Sequence, residues 1–301
     1  MSKTPAGKKP ASKKAVTSKS TIAALPDPRS MEGYLRALGG RSPDGALNKA
    51  QDLMYQAWEA REQQQSVALA RRAIKISPLC ADAYVLLAER ASTSLEEEKK
   101  LYELGVKAGE TALGPDRFRE YAGHFWGFLE TRPYMRARAG LAQALWAEGH
   151  HSEAVRHYRE MLSLNPGDNQ GIRYLLAACL LHMQDDAGLE RLLKQQEDDG
   201  SAYMVYTRAL MAFRRTGTSQ QARKLAEEAW HSNVHIPVAL CGAKKVKDPG
   251  TGYYTMGGED EAAYYLDEYG FAWRDTPGAI AWLVEETKNM KLRSRRSDRL
   301  H

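Results

Sequence analysis

The chain has 301 residues, 43% hydrophobic and 27% charged, with a formal net charge of +5. That balance belongs to a folded globular protein and excludes a disordered one. Its longest apolar run, Tyr174 to Met183, is far short of the roughly 20 residues that span a bilayer.

Residues 1–28 are rich in Lys, Ser, Ala and Pro, with six lysines and no acid in the first twenty, and are expected to be a disordered tail. No apolar stretch follows the lysines, so the segment does not read as a secretory leader. Three cysteines, Cys80, Cys179 and Cys241, lie far apart and form no C-x-x-C pair, which fits a reducing, cytoplasmic setting. Residues 288–301 form a second basic tail, so the two ends carry +6 and +5 and the body between them is net acidic.

From about residue 29 helical signals hardly stop. Ala, Leu, Glu, Arg and Gln dominate, and no segment alternates at period two, so the fold class is all-α. In "LAQALWAEGHHSEAVRHYREMLSLNPGDN" the small residues Ala142, Gly149 and Ala154 and the large Leu145 and Tyr158 fall in the order of a tetratricopeptide hairpin closed by Pro166. Small residues stand where the two helices cross closely, and large ones fill the space on either side. The plan repeats downstream at Leu210, Phe213, Gly217, Ala222, Ala226, Ala229 and Asn233, with a looser copy between at Ile172, Leu175, Leu176 and Leu192. Upstream, Ala70, Ala73 and Pro78 take the second-helix spacing, and Pro115 closes a further unit.

These registers predict about five hairpins stacked as a solenoid over residues 29–235, with an insertion at 116–133 worth about one extra helix. Residues 236–287, with a Gly- and Pro-rich stretch followed by "EDEAAYYLDEYGFAW" and "TPGAIAWLVEE", are expected to cap the last hairpin.

The runs "NVHIPVALCGAKK", "GGEDEAAYYLDEYGFAW" and "TPGAIAWL" resemble the C-terminal region of the suppressor of tumorigenicity 7 family, at Asn233, His235, Pro237, Gly258, Glu261, Ala262, Tyr265, Trp273, Gly278 and Ala279. The resemblance covers residues 118–285, implies a helical-repeat protein and brings no catalytic activity with it. Animal members carry membrane-spanning segments, which this chain's apolar runs are too short to supply, so no membrane location is transferred.

Reactive constellations are sparse. His150, His151 and His157 lack the i, i+4 spacing of a helical metal pair, and "GTGYYTMGG" lacks the lysine and the strand–turn–helix context of a phosphate cradle. His124 in "GHFWGF" reads chiefly as packing. No catalytic residue, metal or cofactor is assigned.

The better candidate is the concave groove. Tetratricopeptide register points Arg136, Gln143 and Trp146 into it from one unit, Gln170 and Arg173 from the next, and Met204, Thr207, Arg208 and Met211 from the third. Arginines from successive units predict a positive strip suited to acidic side chains or a free carboxylate of a protein or peptide partner. Arg173 fits the basic position of that fold's carboxylate clamp, while Ala177 departs from its asparagine position. The competing reading pairs Arg173 and Arg208 with neighbouring acids of the chain itself. The function expected is therefore a non-enzymatic interaction module. The alternatives are phosphate-backbone binding to nucleic acid through the basic tails, and an enzyme site in the insertion or the cap.

Overall fold

The computed structural model describes residues 27–39, 44–242 and 254–297. Five helical hairpins follow one another: α2 (Gly45–Glu59) with α3 (Gln63–Ile76), α4 (Ala81–Ala91) with α5 (Leu95–Tyr121), α6 (Arg132–Ala147) with α7 (His151–Leu164), α8 (Ile172–His182) with α9 (Asp186–Gln195), and α10 (Ala202–Thr216) with α11 (Gln220–Ser232). A short helix α1 (Met31–Gly39) precedes them, and α12 (Ile236–Leu240), α13 (Glu259–Arg274) and α14 (Ala279–Ser297) follow. Among the described residues there is no strand, so the chain is all-α with tetratricopeptide-type hairpins.

The hairpins form for the reasons their spacing suggests. Ala142 and Ala154 have no exposed surface, and Tyr158 and Leu145 are buried beside them. Ala70 and Ala73 in α3, and Ala222, Ala226 and Ala229 in α11, are likewise fully buried at the corresponding crossings. Gly149 ends α6 at φ +88, a left-handed turn, and the following amide of His150 returns to the carbonyl of Leu145 at 2.8 Å. Helix starts are capped by side chains: Asp44 accepts from Ala46 and Leu47, Ser201 from Met204, and Ser219 from Ala222. At the start of α5, Ser94 accepts from the amide of Glu97, whose carboxylate in turn accepts from the amide of Thr93 at 2.8 Å.

Two expectations change on inspection. The 116–133 insertion is not one separate helix: α5 bends at Gly114 (φ +66), continues from Pro115 to Tyr121, and gives way to single turns at Phe125–Gly127 and Leu129–Thr131. Its residues seat on the end of α7, where Gly123 donates to the carbonyl of Leu164 and Trp126 to the side chain of Asn165. At the other end, residues 288–297, read as part of a tail, continue α14. Thr287 and Met290 are buried and Glu286 pairs with Arg223 of α11, so packing on the last hairpin carries the helix beyond the local signal. The Gly-rich stretch 243–253 and residues 1–26 lie outside the described residues.

Both flanking regions fold back onto the side formed by the first helices of the hairpins. Helix α1 meets α2 through Tyr55 and α6 through Arg136, and Arg29, in the single turn Pro28–Ser30 just before it, meets Glu89 of α4. Helix α13 meets α8 and α10, where Tyr269 and Tyr265 lie against Tyr203 with ring centroids 5.1 and 5.7 Å away. Tyr265, Tyr269 and Trp273 are fully buried, and burying each such ring is worth about 2–3 kcal/mol. The final hairpin is thus covered twice, by α14 on α11 and by α13 on α10.

Candidate partner-binding face

The candidate site is the face lined by α2, α4, α6, α8 and α10. Its expected positive strip is present in sequence but neutralised in three dimensions. Arg136 places Nε and Nη2 on the two carboxylate oxygens of Asp82, at 2.8 Å each, and its Nη1 on Glu32 at 2.9 Å. Asp82 is fully buried and also accepts from Gln51 at 2.7 Å. The Arg136 guanidinium lies 5.4 Å from the centre of the Trp58 ring.

Arg173 is consumed in the same way. It bonds Asp168 at 2.9 Å and Asp199 at 2.5 Å, and lies over the Tyr174 ring at 4.3 Å. Burial pushes the Asp199 carboxyl up, but the hydrogen bonds from Ser201, Arg173 and Tyr174 outweigh it and hold the group below the usual carboxylate range. Arg208 turns to the chain's own carbonyls, donating to those of Asp199 and Gln196. Of the two readings of these arginines, pairing with the chain's own acids is observed for Arg173, whereas Arg208 is held by backbone carbonyls and by no carboxylate.

The third unit is covered outright. Met204 and Thr207 have no exposed surface and Met211 retains 6%, so the expectation that α10 offers these three to a partner does not hold. Helix α13 packs its tyrosines and Trp273 on Tyr203 and Tyr206 of α10, and Met211 lies in a hollow shared with Leu193 of α9 and Leu225 of α11. The residues of the C-terminal motif hold it there. Buried Glu261 accepts from Asn233 Nδ2 at 2.9 Å and from the amide of Gly257 at 2.8 Å, while the carbonyl of Asn233 accepts from the Tyr206 hydroxyl at 2.6 Å. Trp273 donates to the hydroxyl of Tyr265 at 2.7 Å.

Four predicted residues remain toward the open part of the face. Gln143 is exposed, whereas Trp146, Gln170 and Arg173 are half-buried; the side-chain oxygen of Gln170 has no hydrogen-bond partner. Trp146 stacks on His151 with centroids 4.0 Å apart and approaches His182 at 6.0 Å; His182 in turn stacks on Phe271 of α13 at 3.7 Å. Burial and then the neighbouring His151 push the His182 imidazole below its ordinary range. This row of rings links α6, α8 and α13, and sequence register singled out only Trp146 of its members. His182 and Phe271 were missed because their neighbourhood depends on where α13 lands.

Among the described residues no group of three or more His, Cys, Asp and Glu is gathered to hold a metal, and no helix is long and apolar enough to cross a membrane. The lysines of residues 1–20, on which nucleic-acid binding would rest, lie outside the described residues.

A family model described as ST7 protein matches residues 42–234. The Protein ST7 homolog of Drosophila melanogaster is 26% identical over 260 residues, covering 78% of this chain and 48% of that protein. Its Caenorhabditis elegans counterpart is 27% identical over 274 residues, covering 77% and 49%. The Suppressor of tumorigenicity 7 protein of Macaca fascicularis is 27% identical over 281 residues, covering 78% and 52%. The chain therefore spans about half the length of the curated relatives it matches. Among solved structures, YrrB, described as a TPR protein with an unusual peptide-binding site, is similar at a TM-score of 0.43 and 14% identity over 69% of this chain and 93% of that one. With the family model matching more than half of its residues, most of the hairpin array included, this chain belongs to the ST7 protein family.

Proposed function

We propose that the chain is a non-enzymatic protein-interaction scaffold that takes a peptide or protein partner across the middle of its inner face. The observation that carries this reading is the placement of Gln143 and Trp146. They stand two turns and more along α6 from Arg136, beyond the polar contacts of α1, and on a different hairpin from α10, which α13 covers. An exposed amide beside a half-buried indole is the mixture of polar and aromatic surface that protein interfaces favour. Gln170, in the turn before α8, and Arg173 on α8 extend the patch, and Arg173 serves mainly to fix the loop carrying Asp199.

Affinity capture with the full chain tests the reading. Trp146→Ala and Gln143→Arg should each lose partners that the unaltered chain retains. Arg191→Ala, on the exposed side of α9, should keep them. Partners that survive both inner-face changes would place the interaction elsewhere.

A further inference from the structure

Helix α1 is docked the wrong way round for a packing helix. Among its described side chains the large apolar Met31, Tyr34 and Leu35 are 58%, 64% and 51% exposed, while Glu32 is buried against the array. The polar contacts of its described side chains, and of the turn before it, are Arg29 on Glu89 at 2.9 and 3.0 Å, Glu32 on Arg132 at 3.1 Å and on Arg136 at 2.9 Å, and Arg36 on Asn48.

The receiving surface is assembled without α1. Asp82, itself held by Gln51, fixes two edges of the Arg136 guanidinium and leaves Nη1 pointing at Glu32. Arg132 is fixed by the carbonyl of Trp126 at 3.0 Å and by the face of that indole, 5.2 Å away. Two arginines against one aspartate leave a surplus positive charge at this spot, and the carboxylate of Glu32 meets it. One helical turn away, Glu89 offers the opposite pole to Arg29. Immediately after Glu32, Gly33 lies so close to Tyr55 that a Cβ there would sit 3.0 Å from its ring.

We propose that the α2, α4 and α6 part of the inner face is an exchangeable receptor for a helix, occupied here by α1 as an internal ligand. The helix it selects bears a carboxylate, a basic residue one turn before it, and a small residue immediately after it. A protein partner presenting such a helix displaces α1, and the displaced α1 offers Met31, Tyr34 and Leu35 to that partner. The proposal rests on the reading of the chain as an interaction scaffold, but it concerns a different stretch of the face from Gln143 and Trp146.

The test uses the full chain and a fluorescein-labelled peptide of residues 27–39, read by fluorescence anisotropy. Internal α1 belongs to the same chain and competes at high effective concentration, so the unaltered chain should bind the peptide weakly. Glu32→Arg, which sets like charges against Arg132 and Arg136, should free the site and raise affinity at least tenfold. Gly33→Phe, which undocks α1 sterically without changing charge, should do the same and serves should the first variant fail to fold. A peptide itself carrying Glu32→Arg should bind neither variant.

Folded variants that bind the parent peptide no better than the unaltered chain, or that bind the charge-reversed peptide equally well, overturn the proposal. So does dimerisation of the unaltered chain that the peptide dissociates, which would make a second copy the occupant. Trp146→Ala should leave peptide affinity unchanged, so failure here is distinct from failure of partner capture at the middle of the face.

Discussion

The hydroxyl of Tyr269 donates to the backbone carbonyl of Tyr174 at 2.6 Å, joining residues 95 positions apart in the chain. Through that bond and the rings around it, α13 is fastened to the inner face it covers. Tyr269→Phe removes one buried hydrogen bond and keeps the ring, so it should cost about 1 kcal/mol. Tyr269→Ala removes a fully buried aromatic ring and should cost about 3–5 kcal/mol. Urea titrations followed by circular dichroism would measure both, and equal costs would show that the ring contributes nothing beyond its hydroxyl.

Asp82 and Arg136 form the most enclosed ion pair of this face, with side chains 0% and 10% exposed. Asp82→Ala should destabilise by about 3–5 kcal/mol, because the guanidinium is left with half its partners and little water. Combining it with Arg136→Met removes the stranded charge as well, so the double variant should be more stable than Asp82→Ala alone. A double-mutant cycle on unfolding free energies checks this; strictly additive losses would mean the two groups are not coupled.

His157 gives the array a dependence on pH. Burial, then the charges of Arg138 and Arg156, push its imidazole down to about 4, and its Nδ1 accepts from Arg138 Nε at 3.2 Å. The unfolded chain takes up the proton near pH 6.5, so between about 4 and 6.5 it binds more protons than the folded one. This contribution to stability is therefore complete above about pH 6.5, falls as pH drops through the window, and falls no further below about 4. His157→Gln should flatten the plot of urea midpoint against pH over that interval, and an unchanged slope would assign the effect to other groups.

Gly109 sits where α5 meets α6. A Cβ there would lie 2.8 Å from the Cβ of Tyr134 and 3.0 Å from its Cα, and neither atom can swing aside without moving the backbone. Gly109→Ala should lower stability by about 1–3 kcal/mol, although alanine is the better helix former by nearly 1 kcal/mol. Thermal unfolding decides between the two effects: a raised midpoint would mean that propensity outweighs the clash.

The hairpins were legible because their determinants are local. Ala142 and Ala154, Gly149 between their helices and Pro166 after them lie within one unit, and the bulk at each position dictates which neighbours can approach. Register also named Arg136, Gln143, Trp146, Arg173 and Arg208, all of which stand on first helices of the hairpins, where periodicity sets the direction of a side chain. The insertion was legible only as a break in period, because the bend at Gly114 and the two single turns depend on contacts with the end of α7.

Sequence by itself determined the all-α class and the run of hairpins, for these follow from spacing within about thirty residues. Only the tertiary structure decided what meets those arginines. Glu32 reaches Arg136 across 104 positions and α13 reaches α10 from beyond the Gly-rich stretch. Nothing in the local pattern of α1 or α13 specifies a docking partner, since an amphipathic stripe fixes that a helix must cover something and leaves open what it covers. The free energy that chooses is the sum of ion pairs and ring contacts formed once the whole array exists, and it turned an open positive groove into a face that the chain largely closes with its own helices.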